Sequence, residues 1–314
     1  MRAAVTQAYG APEVVHVSEV PAPRPGAKQV LVRVRASAVT AADSRVRGAR
    51  FPRGYALLAR LIFGLRRPRR AILGGVVSGV VEAVGARAEG FAVGDEVCGS
   101  TSLAFGCHAE LVAVPVKRLV PKPPTVSHEE AAGVLFGGST ALHFLRDLGH
   151  VRAGQTVLVN GASGAVGTNA VQLARHYGAE VTAVTSAANA TLLEELGAHH
   201  VVDYVLAPVA ETSQRYDVVL DTVGNLGHAG RRLLAPGGVL LLVASDLGET
   251  LRARGNVKAG PAPERAESFT TLLDLVAEGT LTVVNQHVLG LEDIVRAHEI
   301  ADSGRKVGNV VVRP

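Results

Sequence analysis

Apolar and polar positions alternate with a period of two in the early chain. The stretch Val30-Leu31-Val32-Arg33-Val34-Arg35-Ala36 reads as a half-buried strand. Val76 to Gly85 predicts a second strand, with Gly79 where a backbone approaches closely or bulges. Pro21, Pro23 and Pro25 mark an extended link between early strands. Short strands broken by Pro and Gly over the first ~125 residues predict a small β-barrel-like domain.

The period changes near Ser127. Ser127 and Glu130 have capping-box spacing, and the run Ala131 to Leu148 after them is helical in pattern, with a stop at Gly149. From Thr156 to Asn160 the chain is strand-like; Val166, Ala170, Leu173, Ala174 and Tyr177 then recur at helical spacing up to Gly178. Further strands are predicted at Val181 to Thr185, Val201 to Asp203, Asp217 to Asp221 and Val239 to Val243, with a helix around Thr191 to Leu196. Repeated βα units of this kind require a parallel sheet covered by helices on both faces. The last ~30 residues return to strand character and end in Asn309-Val310-Val311-Val312. The expected division is residues 1–126 with 286–314 in one domain and 127–285 in the other.

Composition agrees with a well-buried globular chain. The 314 residues are 47% hydrophobic and 19% charged, enough for two cores and too apolar for disorder. Only Cys98 and Cys107 occur, and Met1 to Val5 have no signal-like character, so a reducing, cytoplasmic setting without disulfides is expected. No apolar run reaches the roughly 20 residues of a membrane span. The net charge of +4 gathers in a run of arginines from Arg45 to Arg70. Nucleic acid or anionic lipid could meet such a patch, but no nucleic-acid motif accompanies it. It is expected to be a solvated loop and helix face.

Candidate chemistry begins at Gly161-Ala162-Ser163-Gly164-Ala165-Val166-Gly167, which follows a strand and opens a helix. Glycines there keep the turn tight and let the backbone approach a pyrophosphate, which the helix N-terminus then receives. NAD enzymes of this fold grip the ribose with an acid about 20 residues further on. Here the second strand ends Val184-Thr185-Ser186-Ala187-Ala188-Asn189, with no acid to repel a 2′-phosphate, so NADPH is the expected cofactor.

The opening Met1 to Val5 with Gly10, Gly74 to Gly85, Gly94-Asp95-Glu96-Val97, Phe136 to Leu142 and the Gly161 to Gly167 turn together resemble the medium-chain dehydrogenase/reductase superfamily. The likeness is strongest to its zinc-independent quinone oxidoreductase branch. It implies an α/β fold in which a doubly wound Rossmann sheet joins a GroES-like β-barrel built from both chain ends, a cleft between them, and a homodimer paired through the Rossmann domains. The apolar stretches Leu240 to Val243 and Leu281 to Val284 are expected to join that subunit edge. Zinc relatives place ligands where this chain has Thr40 and Gly75, so no metal is expected.

The resemblance also marks individual residues. Gly161, Ser163, Gly164, Ala165, Val166 and Gly167 match the phosphate turn, and Ser186 matches a 2′-phosphate contact. Tyr204 fits the same phosphate or an ordinary strand tyrosine, while the relatives' gripping lysine falls on Asn189. Thr140 matches a residue near the nicotinamide, or else bonds its own helix. Asn225, Leu242 and Ala244 match cofactor-side loops and a strand end, and Lys306, Gly308 and Asn309 match a segment closing over the cofactor. Thr40 could donate to a substrate carbonyl, and Tyr55 could overhang the cleft as a phenol donor or serve only in packing, with water as the default source of the proton. Without zinc to polarise oxygen, the expected substrates are quinones or α,β-unsaturated carbonyls, which already accept hydride readily. An enoyl-thioester or polyketide enoyl reductase and a low-turnover NADPH-binding sensor are the alternatives.

Overall fold

The computed structural model describes residues 1–314, the side chains of Ala210 and His228 excepted. A short antiparallel pair, β1 (Arg2–Thr6) and β2 (Val15–Glu19), opens the chain. β3 (Gln29–Ala38) then passes through α1 (Ala41–Gly48) and α2 (Ala56–Phe63) to β4 (Val76–Val84), β5 (Glu96–Ser100), β6 (Leu111–Pro115) and β7 (Leu119–Pro121). Val30, Val32 and Val34 of β3 and Val77 and Val81 of β4 fill one core, as their alternation predicts. Gly79 sits where a Cβ would lie 2.1 Å from the Arg33 carbonyl oxygen, so the two strands meet only across a glycine.

α3 (His128–Leu142) opens on the Ser127 and Glu130 capping box and runs on into a wider π-turn over 143–148. The second sheet follows: β8 (Thr156–Asn160), α4 (Ala165–His176), β9 (Glu180–Thr185), α5 (Ala190–Glu195), β10 (His200–Asp203), β11 (Tyr216–Asp221), β12 (Leu234–Leu242), α6 (Leu247–Arg252), β13 (Val257–Ala259) and α7 (Ala266–Ala277). Its strands are parallel in the order β10-β9-β8-β11-β12-β13. β14 (Asn285–Gly290), α8 (Ile294–Asp302) and β15 (Asn309–Arg313) complete the chain, and β14 and β15 join the first sheet beside β3.

Two expectations change here. β12 pairs with β11 on one side and β13 on the other, so Leu240 to Val243 lie inside the sheet rather than at its edge. Residues 281–284 form no strand, and Leu281 is buried in the main core. The open edge beyond β12 is β13. The arginine-rich stretch also departs from a solvated polar face. Arg47 is fully buried and paired with Asp302, while the outward side of α2 is apolar.

A polar knot under the barrel has a consequence for pH. His298 of α8 is fully buried, and neither ring nitrogen has a hydrogen-bond partner. His108 lies edge-on to it at 6.0 Å, and Asp43, Arg47 and Asp302 also face it. Burial pushes His298 down to about 3, with His108 and Arg47 acting the same way and the two carboxylates opposing. An unfolded histidine takes a proton near pH ~6.5. The stability this group contributes is therefore complete above that pH and falls as pH drops toward about 3, by up to about 1.4 kcal/mol per unit. Melting temperatures from pH 7.5 to 5 should fall more steeply for wild type than for His298→Leu; equal slopes would remove His298 from the account.

Candidate active site

β8 ends at Asn160, and the chain turns through Gly161 into α4 with Gly164 as its N-cap. Gly161 has φ of +77°, and a Cβ there would lie 2.5 Å from Thr222 Oγ1. A Cβ at Gly167 would meet the Gly161 carbonyl oxygen at 2.3 Å, so that glycine lets helix and turn touch. Gly164 is different: its nearest neighbour would be 3.6 Å away, which leaves space in front of the helix N-terminus. The first-turn amides of a helix have no partner within it and favour an anion, and no acidic residue stands in the first turn of α4. The turn thus fits a pyrophosphate.

Across this turn runs the chain's last segment. Gly308 N donates to Ser163 O at 2.8 Å, and Lys306 Nζ donates to Gly308 O at 2.6 Å. Between them and the first domain lies a cleft of about 140 Å³. Val39, Thr40 and Ala41 form one wall, Gly164 to Val166 the other, and Phe136, Thr222, Lys306 and Asn309 close it. Lys306 is the one titratable side chain among those lining residues, and burial pulls its ammonium down to about 8. It has no acidic partner among the described residues.

The 2′-phosphate candidates also converge. Ser186 follows β9, Asn189 Nδ2 lies 3.3 Å from Ser186 Oγ, and Tyr204 N bonds to Thr185 O at 3.1 Å. Tyr204 stands in a turn and is 56% exposed, which removes the half-buried strand reading and leaves its phenol available. The nearest carboxylate in the strand pairing, Asp203 opposite Thr185, accepts from Val205 N in its own turn.

Other expected residues take different parts. Thr40 lines the cleft, but its hydroxyl donates to Asp43 Oδ2 at 2.6 Å and caps α1, so it has no hydrogen left for a substrate carbonyl. Tyr55 precedes α2 and does not line the cleft. Thr140 Oγ1 donates to Phe136 O at 2.8 Å, the helix-backbone alternative. Asn225 turns its Oδ1 toward Asn160 Nδ2 at 2.7 Å, and Leu242 is buried in the sheet core. Ala244 carries its carbonyl against Gly224, where a Cβ would sit 2.3 Å away.

Three carboxylates escaped the sequence reading. Asp43 accepts from Thr40 N at 2.8 Å and Gly74 N at 2.8 Å, tying together the two loops that hold metal ligands in zinc relatives. Asp221 accepts from Asn160 and from the amides of Val223, Gly224 and Leu226, shaping the loop beside the phosphate turn. Glu264 reaches Ser100 Oγ across the domain boundary at 2.6 Å, and burial raises its pKa. Thr40 and Asp43 have capping-box spacing, the one signal that could have been found. Cys98 and Cys107 are free and buried, with thiols pushed up to about 12.

A barrel and a parallel sheet joined at such a cleft define a nicotinamide-dependent oxidoreductase fold. Residues 26–124 match the alcohol dehydrogenase GroES-like domain family, and residues 196–312 match the family described as zinc-binding dehydrogenase. The chain is 28% identical over 331 residues to the quinone oxidoreductase of Pseudomonas aeruginosa, covering 98% of both. It is 34% identical over 273 residues to the spectinabilin polyketide synthase system protein NorB of Streptomyces orinoci, covering 80% of this chain and only 12% of that protein. A mycobacterial structure complexed with NADPH superposes with a TM-score of 0.82 at 29% identity, covering 100% of each chain. The chain belongs to the medium-chain dehydrogenase/reductase superfamily, on its quinone oxidoreductase-like branch.

The two glycines separate binding from folding. Gly167→Ala should lower the melting temperature and abolish NADPH binding. Gly164→Ala should melt like wild type yet bind NADPH at least about tenfold more weakly, because its methyl occupies the space left for phosphate. Equal affinity for Gly164→Ala and wild type, by calorimetry, would place the phosphate elsewhere.

Proposed function

We propose that the chain reduces quinones or α,β-unsaturated carbonyls with NADPH and without zinc. The observation that carries this reading is the cleft itself. It lies between the start of α4 at Gly164 to Val166 and the loop that presents Thr40, while Gly75 stands in the neighbouring loop tied to it through Gly74; zinc relatives carry metal ligands at both positions. Asp43, which ties these loops together, is engaged with backbone and the Thr40 hydroxyl. When bound, NADPH would supply the hydride. Gly164 to Gly167 would receive its pyrophosphate, and Ser186, Asn189 and Tyr204 its 2′-phosphate.

Lys306 is proposed as the proton donor. Lys306 lines the cleft, its ammonium held on Gly308 O and pulled down to about 8 by burial, and the proton it would give to a substrate oxygen or carbon returns from water. The acid form is needed, so activity should decline as pH rises through about 8. Lys306→Met should lower kcat at neutral pH, leave the NADPH dissociation constant within about twofold and remove that decline. A wild-type pH limb retained in Lys306→Met would exclude the role.

Similarity to NorB favours a second reading, an enoyl-thioester reductase. Consumption of NADPH with 1,4-benzoquinone or 9,10-phenanthrenequinone in chelator, set against an enoyl thioester, separates the two. Turnover of neither leaves a cofactor-binding sensor.

Cofactor choice tests the phosphate cluster. A hydrogen bond to a charged group contributes roughly 1.5–3 kcal/mol, so two from Ser186 and Tyr204 would favour NADPH over NADH by at least about tenfold. Asn189→Lys should tighten NADPH alone, and Ser186→Asp should weaken it. An unchanged NADPH/NADH ratio in both variants means the phosphate is not read there. The homodimer of the branch is proposed to form at the β13 edge; light scattering near 32.5 kDa at micromolar concentration would contradict it.

A further inference from the structure

We propose that the outward face of α2, with the arginine loop after it, docks on an anionic lipid bilayer surface. Leu57, Leu58, Leu61, Ile62 and Leu65 are 46–71% exposed and lie within nine consecutive residues. A contiguous exposed aliphatic face of this kind marks an interaction site in a water-soluble fold. Around it stand Arg53, Arg66, Arg67, Arg69 and Arg70, all exposed and none paired with an acid among the described residues. The chain has no Asp or Glu between Asp43 and Glu82.

The loop is built to hold this display. Tyr9 donates from its phenol to Gly64 O at 2.6 Å, and Arg69 N bonds to Phe63 O at 2.7 Å. Arg60 lies over the Tyr9 ring at 5.6 Å and donates to Leu65 O. Gly64, at φ of +124°, admits the Arg67 carbonyl, which would come within 2.0 Å of a Cβ. The arginines therefore flank the apolar face on a fixed turn.

Apolar face and cationic rim together specify the partner. An aliphatic surface finds no match on a nucleic-acid backbone, and a second copy would bring like charges together. A bilayer with acidic headgroups satisfies both at once: aliphatic side chains enter the acyl boundary while guanidinium groups meet phosphates. Beside the face lies a pocket of about 190 Å³ lined by Val46, Ile62, Phe63 and Phe105 with Arg69 and Arg70, room for several methylene groups under a charged head. Arg53 O accepts from Leu247 N at 3.0 Å, so the loop leading into α2 touches the second domain.

Flotation with vesicles of phosphatidylcholine alone or with phosphatidylglycerol added tests this on the intact chain. Wild type should float with the anionic vesicles, not with the neutral ones, and less as salt rises. The exposed pair Leu57→Ser with Leu61→Ser should reduce binding at least about tenfold, as should Arg66→Gln with Arg67→Gln, Arg69→Gln and Arg70→Gln. Circular dichroism and quinone turnover of the variants should match wild type. Failure of wild type to float with anionic vesicles at low salt would overturn the proposal. So would vesicle binding undiminished in both variants, duplex DNA binding of equal strength that the leucine variant keeps, or self-association that the leucine variant abolishes.

Discussion

One backbone hydrogen bond, from Gly308 N to Ser163 O, holds the returning end of the chain against the phosphate turn. It needs a glycine: Gly308 has φ of +56°, and a Cβ there would lie 2.1 Å from the Val284 carbonyl oxygen. Through this bond the segment that carries Lys306 and Asn309 becomes a wall of the same cleft as Gly164 to Val166. A local backbone constraint therefore determines which side chains face the reacting space. α3 supports it from behind, since Gly137 lets that helix approach Ala165 O closely and Phe136 then closes the cleft.

The second support is electrostatic. Asp43, fully buried, collects the amides of Thr40 and Gly74 and the Thr40 hydroxyl on one carboxylate. Charge-assisted bonds to backbone hold such an ion where an unpaired one would be expensive. In zinc relatives metal ligands come from these two loops; here a carboxylate joins them. Gly74, at φ of +90° against His108, can be no other residue without moving that ring.

Much of this was legible in the sequence because local rules and tertiary structure agree. The Gly161 to Gly167 turn, the capping box at Ser127 and the strands from β8 to β11 follow directly from periodicity and turn chemistry. What stayed hidden depends on distant partners. Thr40 looked like a free hydroxyl facing substrate, and only its geometry reveals that Asp43 claims its hydrogen. Apolarity at Leu240 to Leu242 fits an edge strand and an interior one equally well, and β13 decides between them. The α2 residues read as a charged stretch because arginines dominate the composition, whereas helical phase turns the leucines outward. Glu264 stands in a Pro-rich loop with no pattern, and its raised pKa arises from burial against a strand far away in sequence.

One cleft, walled by the phosphate turn and the returning chain end, is proposed to receive the cofactor. Hydrogen–deuterium exchange of the protein with and without NADPH measures this directly. Slowed exchange concentrated at residues 161–168 and 305–309, with smaller effects at 185–189, is the predicted result. Protection confined to other segments, with both of those walls exchanging at the unliganded rate, would contradict it.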